Sequence, residues 1–392
     1  MDQSVSTETG ARRALRPLPR HGWIGLALIA VFWPVNWLMG GLRTTVAFFP
    51  LWLGYSLVMD ALALRQSGTS LLARSRKAYV GLFLVASPAW WLFEAINLRV
   101  QNWEYLGAEN FSPMAYFLNA SLCFSVVMPA VFGAAEWFSG MGWVRRMKPW
   151  LVIRKDRPTT VGFFVTGWVM LALLLAWPRY FFPFVWLSVY FILEPVNVWL
   201  GNRSLADDTQ HGDWRRVVSL FAGVLLTGFF WELWNYYAYP KWIYHVPGVD
   251  FARIFEMPLP GYGGYLPFAL ELYALYHFVM GLLGNGQTDY LQFGSHREDA
   301  GDSVSPRQRD GLADQPGLLA LGNADALLDV HPREQQPAGD EEEDQRDDAE
   351  PAAAHPGGAS RPNSERLSAW LPPCTVATAK PSAQKCHSCV RK

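Results

Sequence analysis

The sequence predicts an all-α polytopic membrane protein with about eight transmembrane helices, arranged as two parallel four-helix repeats and followed by a disordered C-terminal tail. Of the 392 residues, 51% are hydrophobic and only 17% are charged. The chain contains 19 Trp, and its Trp and Tyr residues concentrate at the ends of apolar segments, as they do at membrane–water interfaces. Its acidic residues crowd into the last hundred positions, away from the apolar segments.

The apolar segments approach the length of a spanning helix, which needs roughly 20 apolar residues. Eight such segments are predicted, over residues 23–41, 44–64, 78–98, 114–138, 160–177, 180–200, 217–237 and 265–284. The first follows a basic stretch, as a signal peptide would. It lacks a small-residue cleavage site and is followed by seven further spans, so we expect a retained anchor.

The distribution of Lys and Arg between alternate connecting segments predicts the orientation. With the N-terminus inside, the inner segments carry seventeen of these residues and the outer segments carry five. The outer residues are Arg43, Arg99, Arg179, Lys241 and Arg253. We therefore expect a multi-pass protein of the cell membrane with both termini in the cytoplasm, whose surroundings are the lipid bilayer.

We divide the chain into five parts: a cytoplasmic N-terminal segment (1–22), membrane repeat 1 (23–141), a basic interfacial linker (142–159), membrane repeat 2 (160–294) and a disordered cytoplasmic tail (295–392). We expect the linker to lie along the inner membrane surface, where anionic lipids attract it. The tail is too polar to bury a core of its own. Its Cys374, Cys386 and Cys389 are expected to be free thiols, because a zinc site needs a fold that holds four ligands.

An internal repeat is visible in the pattern E-x-x-N followed by W-x-Y, which occurs once in each half. The matched pairs are Glu94 with Glu232, Asn97 with Asn235, Trp103 with Trp242, Tyr105 with Tyr244, Asp60 with Glu194, and Ser70 with Ser204. Four spans per copy make the copies parallel, related by a pseudo-two-fold axis along the membrane normal.

The two Glu–Asn pairs are the first candidates for a site, because residues three apart share one helix face. Ionisable groups inside spans are costly and often mark function, although here each pair would equally well bond neighbouring backbone. The segment after the second pair is much longer than its counterpart "AENFSPMAYFLNA". That asymmetry favours a site between Glu232 and Glu271, with Asp250 and Arg253 expected to form loop ion pairs.

The sequence lacks the motifs that are typical of several common functions. The net charge of −1 gives no basic surface for nucleic acid, and neither a Gly-rich phosphate loop nor a G-x-S-x-G element is present. His277 is the only His well inside a span, so we expect no metal site or other cofactor and treat it as a hydrogen-bonded core residue. What remains is carboxyl groups among aromatic rings, which suits acid catalysis on an apolar substrate or a substrate-binding cavity of a transporter.

The second half also resembles a known family. From Glu232 through Trp242, Tyr244 and Arg253 to Glu271, the order E-x-x-N, W-x-Y and R-I-x-x-x-P-L resembles the integral-membrane carotenoid enzymes. These are the carotenoid hydratases and the membrane-type lycopene cyclase domain. The resemblance covers about 45 residues and implies protonation of, or water addition to, a polyene end group. It departs from the cyclase pattern at "PLPGYGGY", which stands where that domain has an adjacent acidic pair.

Three functions are therefore compatible with the sequence, which leaves the oligomeric state open. The first is a cofactor-independent enzyme, a lyase or isomerase, that hydrates or cyclises a carotenoid, isoprenoid or other lipid. The second is a transporter or channel with a site between the repeats, and the third is a non-catalytic membrane scaffold. For the enzyme, the candidate catalytic residues are Glu232, Glu271 and Glu256, and the candidate substrate-binding residues are Asn235, Trp242, Tyr244, Trp231, Trp234, Arg253, Glu94 and Asn97.

Overall fold

A computed structural model describes residues 17–249 and 251–293, and the fold within them is mostly helical. The helices are α1 Arg20–Leu38, α2 Thr44–Ser67, α3 Leu71–Arg74, α4 Arg76–Val100, α5 Pro113–Phe124, α6 Val127–Ser139, α7 Gly142–Arg145, α8 Arg157–Ala176, α9 Pro178–Phe181, α10 Ser188–Trp199, α11 Ala206–Thr209, α12 Arg215–Tyr236 and α13 Tyr265–Leu282. The strands are β1 Trp103–Leu106, β2 Lys241–Tyr244, β3 Arg253–Ile254 and β4 Met257–Pro258. Asp250 and the predicted tail with its three cysteines lie outside the described residues.

Within the described residues, seven helices are long and apolar enough to cross a membrane, and an eighth crossing results if one bent pair is a single span. The protein is therefore a multi-pass membrane protein by helix length and hydropathy. The seven single candidate spans coincide closely with the predicted segments. The sixth predicted span, 180–200, differs, because it is broken into Pro178–Trp186 and Ser188–Trp199 with a bend of 41°. A stretch of 3₁₀ helix, Phe182–Trp186, contains Pro183, which cannot donate to a preceding turn.

Several helices begin after a residue whose side chain accepts a hydrogen bond from a free backbone amide. Ser75, Ser112 and Asp156 precede α4, α5 and α8, and each accepts a hydrogen bond from the amide three residues on. Proline follows at the first or second helical position of α5 and α8, where no amide donor is needed. In a bilayer such capping matters more than in water, because an unpaired backbone group finds no solvent partner.

Glycine allows the helices to approach closely at their crossings. A Cβ atom added to Gly25 of α1 would lie 2.6 Å from the carbonyl oxygen of Gly54 in α2. One added to Gly223 of α12 would lie 2.5 Å from the backbone nitrogen of Ala135 in α6. Small residues at crossings are typical of membrane helices, which gain their association energy from close packing.

The two ends of the helical bundle carry different groups. At one end, the ribbon end, β1 pairs with β2, and α2 begins with Thr44 N donating to Tyr239 O at 3.0 Å. At the opposite end, Arg74 forms a two-armed ion pair with Glu136 of α6. The chain that follows α13 is also held there, because Arg74 donates to Tyr290 O at 3.0 Å and Arg216 donates to Leu291 O at 3.1 Å.

Candidate functional site

The site at the ribbon end is built on two asparagines that hold the two strands against their helices. Asn97 Nδ2 donates to Trp103 O at 2.8 Å, and its Oδ1 accepts from Asn102 N at 2.9 Å. In the other half, Asn235 Nδ2 donates to Trp242 O at 2.7 Å, and its Oδ1 accepts from Trp242 N at 3.0 Å. Both side chains are buried. Each amide therefore turns an aromatic strand back over the end of its own helix.

The two strands then pair with each other, antiparallel. Trp103 lies opposite Tyr244, and Tyr105 lies opposite Trp242. Each tryptophan of the W-x-Y motif thus meets the tyrosine of the other copy. The ribbon that results brings the glutamates of both motifs to the same end of the molecule.

Glu94 accepts three hydrogen bonds on one oxygen. Tyr105 OH, Trp90 Nε1 and Trp103 Nε1 lie 2.6, 2.9 and 3.0 Å from its Oε1. Burial, and then the charge of Glu94, raise the pKa of Tyr105 well above its usual value. The phenol is therefore uncharged, and it holds the half-buried carboxyl as a donor.

Glu232 is fully buried and is held by two phenols. Tyr244 OH and Tyr265 OH each donate to Glu232 Oε1 at 2.7 Å, and Trp242 Nε1 donates to the Tyr244 oxygen at 2.8 Å. Burial, and then the charge of Glu232, raise the pKa of Tyr244 well above its usual value, so this phenol also stays protonated. Within the described residues, Glu232 Oε2 has no hydrogen-bond partner.

A cavity of about 130 Å³ lies beside the ribbon. Its walls come from both halves and are mainly aromatic: Phe48, Trp90, Trp103, Tyr105, Phe111, Tyr116, Phe124, Trp186, Trp231, Trp242, Tyr244, Tyr265 and Phe268, with Thr44, Thr45, Asn119, Cys123 and Lys241 among the polar ones. An engineered apolar cavity of roughly 150 Å³ holds one benzene ring. This cavity therefore matches a single ring or the end group of a longer apolar molecule.

The structure brings only some of the predicted residues to this cavity. Trp231, Trp242 and Tyr244 line it. Glu232 and Glu94 lie one hydrogen bond behind its wall, held by wall residues, whereas Asn97 and Asn235 bond the strand backbone. Trp234 is outside the wall and packs against Trp52, with ring centroids 5.0 Å apart.

Glu256 and Arg253 support the loop above the ribbon. Glu256 forms an ion pair with Lys241, whose side chain is part of the cavity wall. Arg253 donates to Glu256 O at 2.9 Å and to Tyr244 O at 3.2 Å. Both residues therefore fix the strand that carries Tyr244, and neither lies in the wall.

Glu271 lies away from the cavity wall, at the break between α9 and α10. It is fully buried, and its Oε1 accepts from the backbone amide of Val189, at the start of α10, at 3.2 Å. A helix that begins inside the protein needs acceptors for its first amides. The first half has no such break, since α2 is continuous over Thr44–Ser67. This gives a structural reason for an acidic residue that occurs in only one half.

Several residues of the site were missed in the sequence. Tyr265 completes the Glu232 site and ends the "GYGGY" stretch. Trp90 lies four residues before Glu94, about one helical turn. This spacing places both side chains on one helix face, so the sequence pattern could have indicated their contact. Trp186 stacks on Trp103 with ring centroids 5.7 Å apart, and no local pattern marks that contact.

His277 differs from the expected hydrogen-bonded core residue. It is fully buried, yet in the described part of the chain neither ring nitrogen has a hydrogen-bond partner. Its ring packs against Tyr273 with centroids 4.4 Å apart. Across residues 17–249 and 251–293, no three His, Cys, Asp or Glu side chains are grouped as a metal site would require.

Replacing either strand-holding asparagine should loosen the ribbon. Asn97→Ala and Asn235→Ala each leave buried backbone groups of the strand unpaired, which costs about 1–3 kcal/mol. We expect a lower unfolding temperature in detergent and faster amide exchange in residues 103–106 and 241–244 for both variants. Asn119→Ala is the control, because the side-chain amide of Asn119 makes a long hydrogen bond of 3.5 Å to Thr45 O in α2 and not to a strand. Equal exchange in all three variants would contradict the assigned role.

Comparisons with known proteins find no match: no family model matches the sequence, and no curated protein and no solved structure matches the chain.

Proposed function

We propose that the protein is a membrane enzyme that takes the end group of an unsaturated apolar lipid, an isoprenoid or carotenoid, into the aromatic cavity and protonates it there. The observation that carries this proposal is Glu232, a fully buried carboxyl held on Oε1 by two cavity-wall phenols, with Oε2 free of partners among the described residues. The resemblance to the carotenoid hydratases and cyclases, through the motif that contains Glu232, agrees with this chemistry.

The proposed reaction begins with a protonated Glu232 carboxyl, which reaches the cavity through a wall phenol, Tyr244 or Tyr265. The π-electron pair of a substrate double bond forms a carbon–hydrogen bond with the phenol's proton as its oxygen–hydrogen bond breaks, and the phenol oxygen regains a proton from the Glu232 carboxyl. The carboxylate left behind gains strength in its hydrogen bonds from Tyr244 and Tyr265, since charge-assisted bonds are stronger than neutral ones. These donors are already in position, which lowers the cost of forming the charge.

The other product of this step is a carbocation, which the cavity wall would stabilise. Faces of Trp and Tyr rings attract cations, and Trp90, Trp103, Trp231 and Trp242 all line the cavity. The cation is then consumed in one of two ways. Water adds to it and a proton returns to Glu232, which is hydration, or an internal double bond attacks it before a proton is lost to Glu232, which is cyclisation. Neither outcome changes the oxidation state of the lipid–water system.

The finer organisation of the fold is part of the proposal. We infer that the two halves are duplicates, supported by the matching bonds of Asn97 and Asn235 to their strands. At the opposite end, Asp60 accepts from Leu72 N at 2.9 Å and Glu194 accepts from Ala206 N at 2.8 Å, and these four residues are at matching positions.

We also infer that the ribbon end faces away from the cytoplasm, because Lys and Arg concentrate at the opposite end. In a background where all four native cysteines are serine, Glu104→Cys in β1 should react with a membrane-impermeant maleimide on intact cells. Asn285→Cys, which follows α13, should react only after the membrane is permeabilised. The reverse pattern would overturn the orientation.

Pigment conversion tests the enzymatic proposal. In a host that makes lycopene, expression of the wild-type chain should change the carotenoid profile seen by chromatography and mass spectrometry. Glu232→Gln should lower this conversion by about 10²–10⁴-fold, the usual contribution of a general acid. Glu94→Gln is the matched control and should retain most of the activity, because its oxygen is already saturated by three donors.

Two outcomes would count against the enzyme. An unchanged profile in cells that contain folded protein would reject lycopene as the substrate class. Equal losses in Glu94→Gln and Glu232→Gln, in stability as well as conversion, would favour the scaffold, in which both pairs only hold helices together.

Transport is the second candidate function, and the broken span favours it, since interrupted helices often form solute sites in transporters. At this break, however, Glu271 already accepts a hydrogen bond from the backbone amide of Val189 in α10. A solute flux or proton current in proteoliposomes that Glu271→Gln abolishes, without any change in pigment, would identify a transporter instead.

A further inference from the structure

We propose that a cleft at the opposite end of the bundle, between the start of α8 and the end of α10, binds an anionic phospholipid. The cleft has a volume of about 480 Å³ and is lined by Lys155, Asp156, Arg157, Thr160, Val161, Val198 and Trp199. It joins a basic rim to an apolar wall. This proposal is independent of the reaction proposed for the ribbon end.

The rim of the cleft offers an available positive charge at Arg157. Lys155 is engaged in an ion pair with Asp207, and Asp156 accepts from Thr159 N at 3.0 Å as the cap of α8. Arg157 is exposed, and within the described residues its guanidinium makes no ion pair or hydrogen bond. Arginine is suited to a phosphate group, since two parallel donors can bind two of its oxygens.

The wall below this rim is apolar and open to the surroundings. Val161 in the wall and Val165, four residues further along α8, are 42% and 54% exposed, which in a membrane protein means contact with acyl chains. Trp199 is held in position by its Nε1, which donates to Thr160 Oγ1 at 3.0 Å. Tryptophan at this level is typical of the boundary between headgroups and hydrocarbon. A phosphate at Arg157 would thus have its acyl chain along α8.

The chain that leads into the cleft also belongs at the headgroup layer. Trp150 N donates to Gly212 O at 2.8 Å and Ile153 N donates to Thr209 O at 3.1 Å, which fixes the backbone. Trp150, Leu151 and Val152 are nevertheless more than half exposed. Exposed aromatic and apolar side chains on a fixed backbone, flanked by basic residues, match a membrane surface that carries negative charge. This argues for a lipid of the surrounding leaflet over a dissolved phosphate ion.

Lipid retention in nanodiscs tests the site. The full chain would be placed in nanodiscs of phosphatidylcholine with added phosphatidylglycerol, released, and its bound lipids counted by native mass spectrometry. We expect preferential retention of phosphatidylglycerol, reduced about fivefold by Arg157→Gln, the loss expected for one basic residue near an anionic surface. Arg179→Gln is the matched control, because Arg179 is also an exposed arginine in the first turn of a helix but lies at the other end of the membrane.

The proposal would be overturned if the wild-type protein showed no preference for phosphatidylglycerol. It would also be overturned if Arg157→Gln and Arg179→Gln lost the same amount of bound phosphatidylglycerol. A third arm adds inorganic phosphate to the nanodiscs before release. If phosphate displaces phosphatidylglycerol completely, the cleft recognises a free anion, and the lipid assignment is wrong. Val161→Ser, which changes only the apolar wall of the cleft, should weaken retention while Arg157 remains in place.

Discussion

The candidate site depends on the pairing of β1 with β2. These strands lie about 140 residues apart in the sequence, and each is held to its own helix by a buried asparagine. Without the pairing, the tryptophans and tyrosines of the two W-x-Y motifs would not meet, and the cavity would lose walls from both halves. The ribbon also satisfies backbone groups at a membrane boundary, where unpaired amides are costly. The residues of the two strands therefore both pair the backbone at this end of the bundle and form part of the cavity wall.

The two Glu–Asn motifs share the bonds from asparagine to strand, but their surroundings differ in two physical respects. In the first half, the helix that carries Asp60 is continuous from Thr44 to Ser67. In the second half, the span from Pro178 to Trp199 is broken before Ser188, and the amide of Val189 donates to Glu271. The loop of the second half is also longer and contributes Tyr265 to Glu232. The asymmetry thus gives Glu232 a second phenol, whereas Glu94 is surrounded by two indoles and one phenol.

Sequence patterns predicted the helical membrane class and the ends of most spans, because span length and hydropathy are local properties. They also identified Glu94 with Asn97, and Glu232 with Asn235, as candidate pairs on one helix face. This spacing along a helix is a local property as well. The pairing of β1 with β2 could not be predicted, because both strands are short and distant in sequence. The roles of Glu271 and Trp234 were not predictable either, since each depends on a partner in another helix whose geometry no local pattern records.

An apolar end group bound in the cavity should shield Cys123, so the alkylation rate of this thiol tests the claim that the cavity binds such a group. Cys123 lies in the cavity wall and is the one cysteine within the described residues. With Cys374, Cys386 and Cys389 changed to serine, it is the single thiol of the chain. Loading the protein with an isoprenoid or carotenoid should slow alkylation of Cys123 by a small maleimide, and a saturated fatty acid of similar length should slow it less. Alkylation that is equally fast with and without every isoprenoid would contradict the claim.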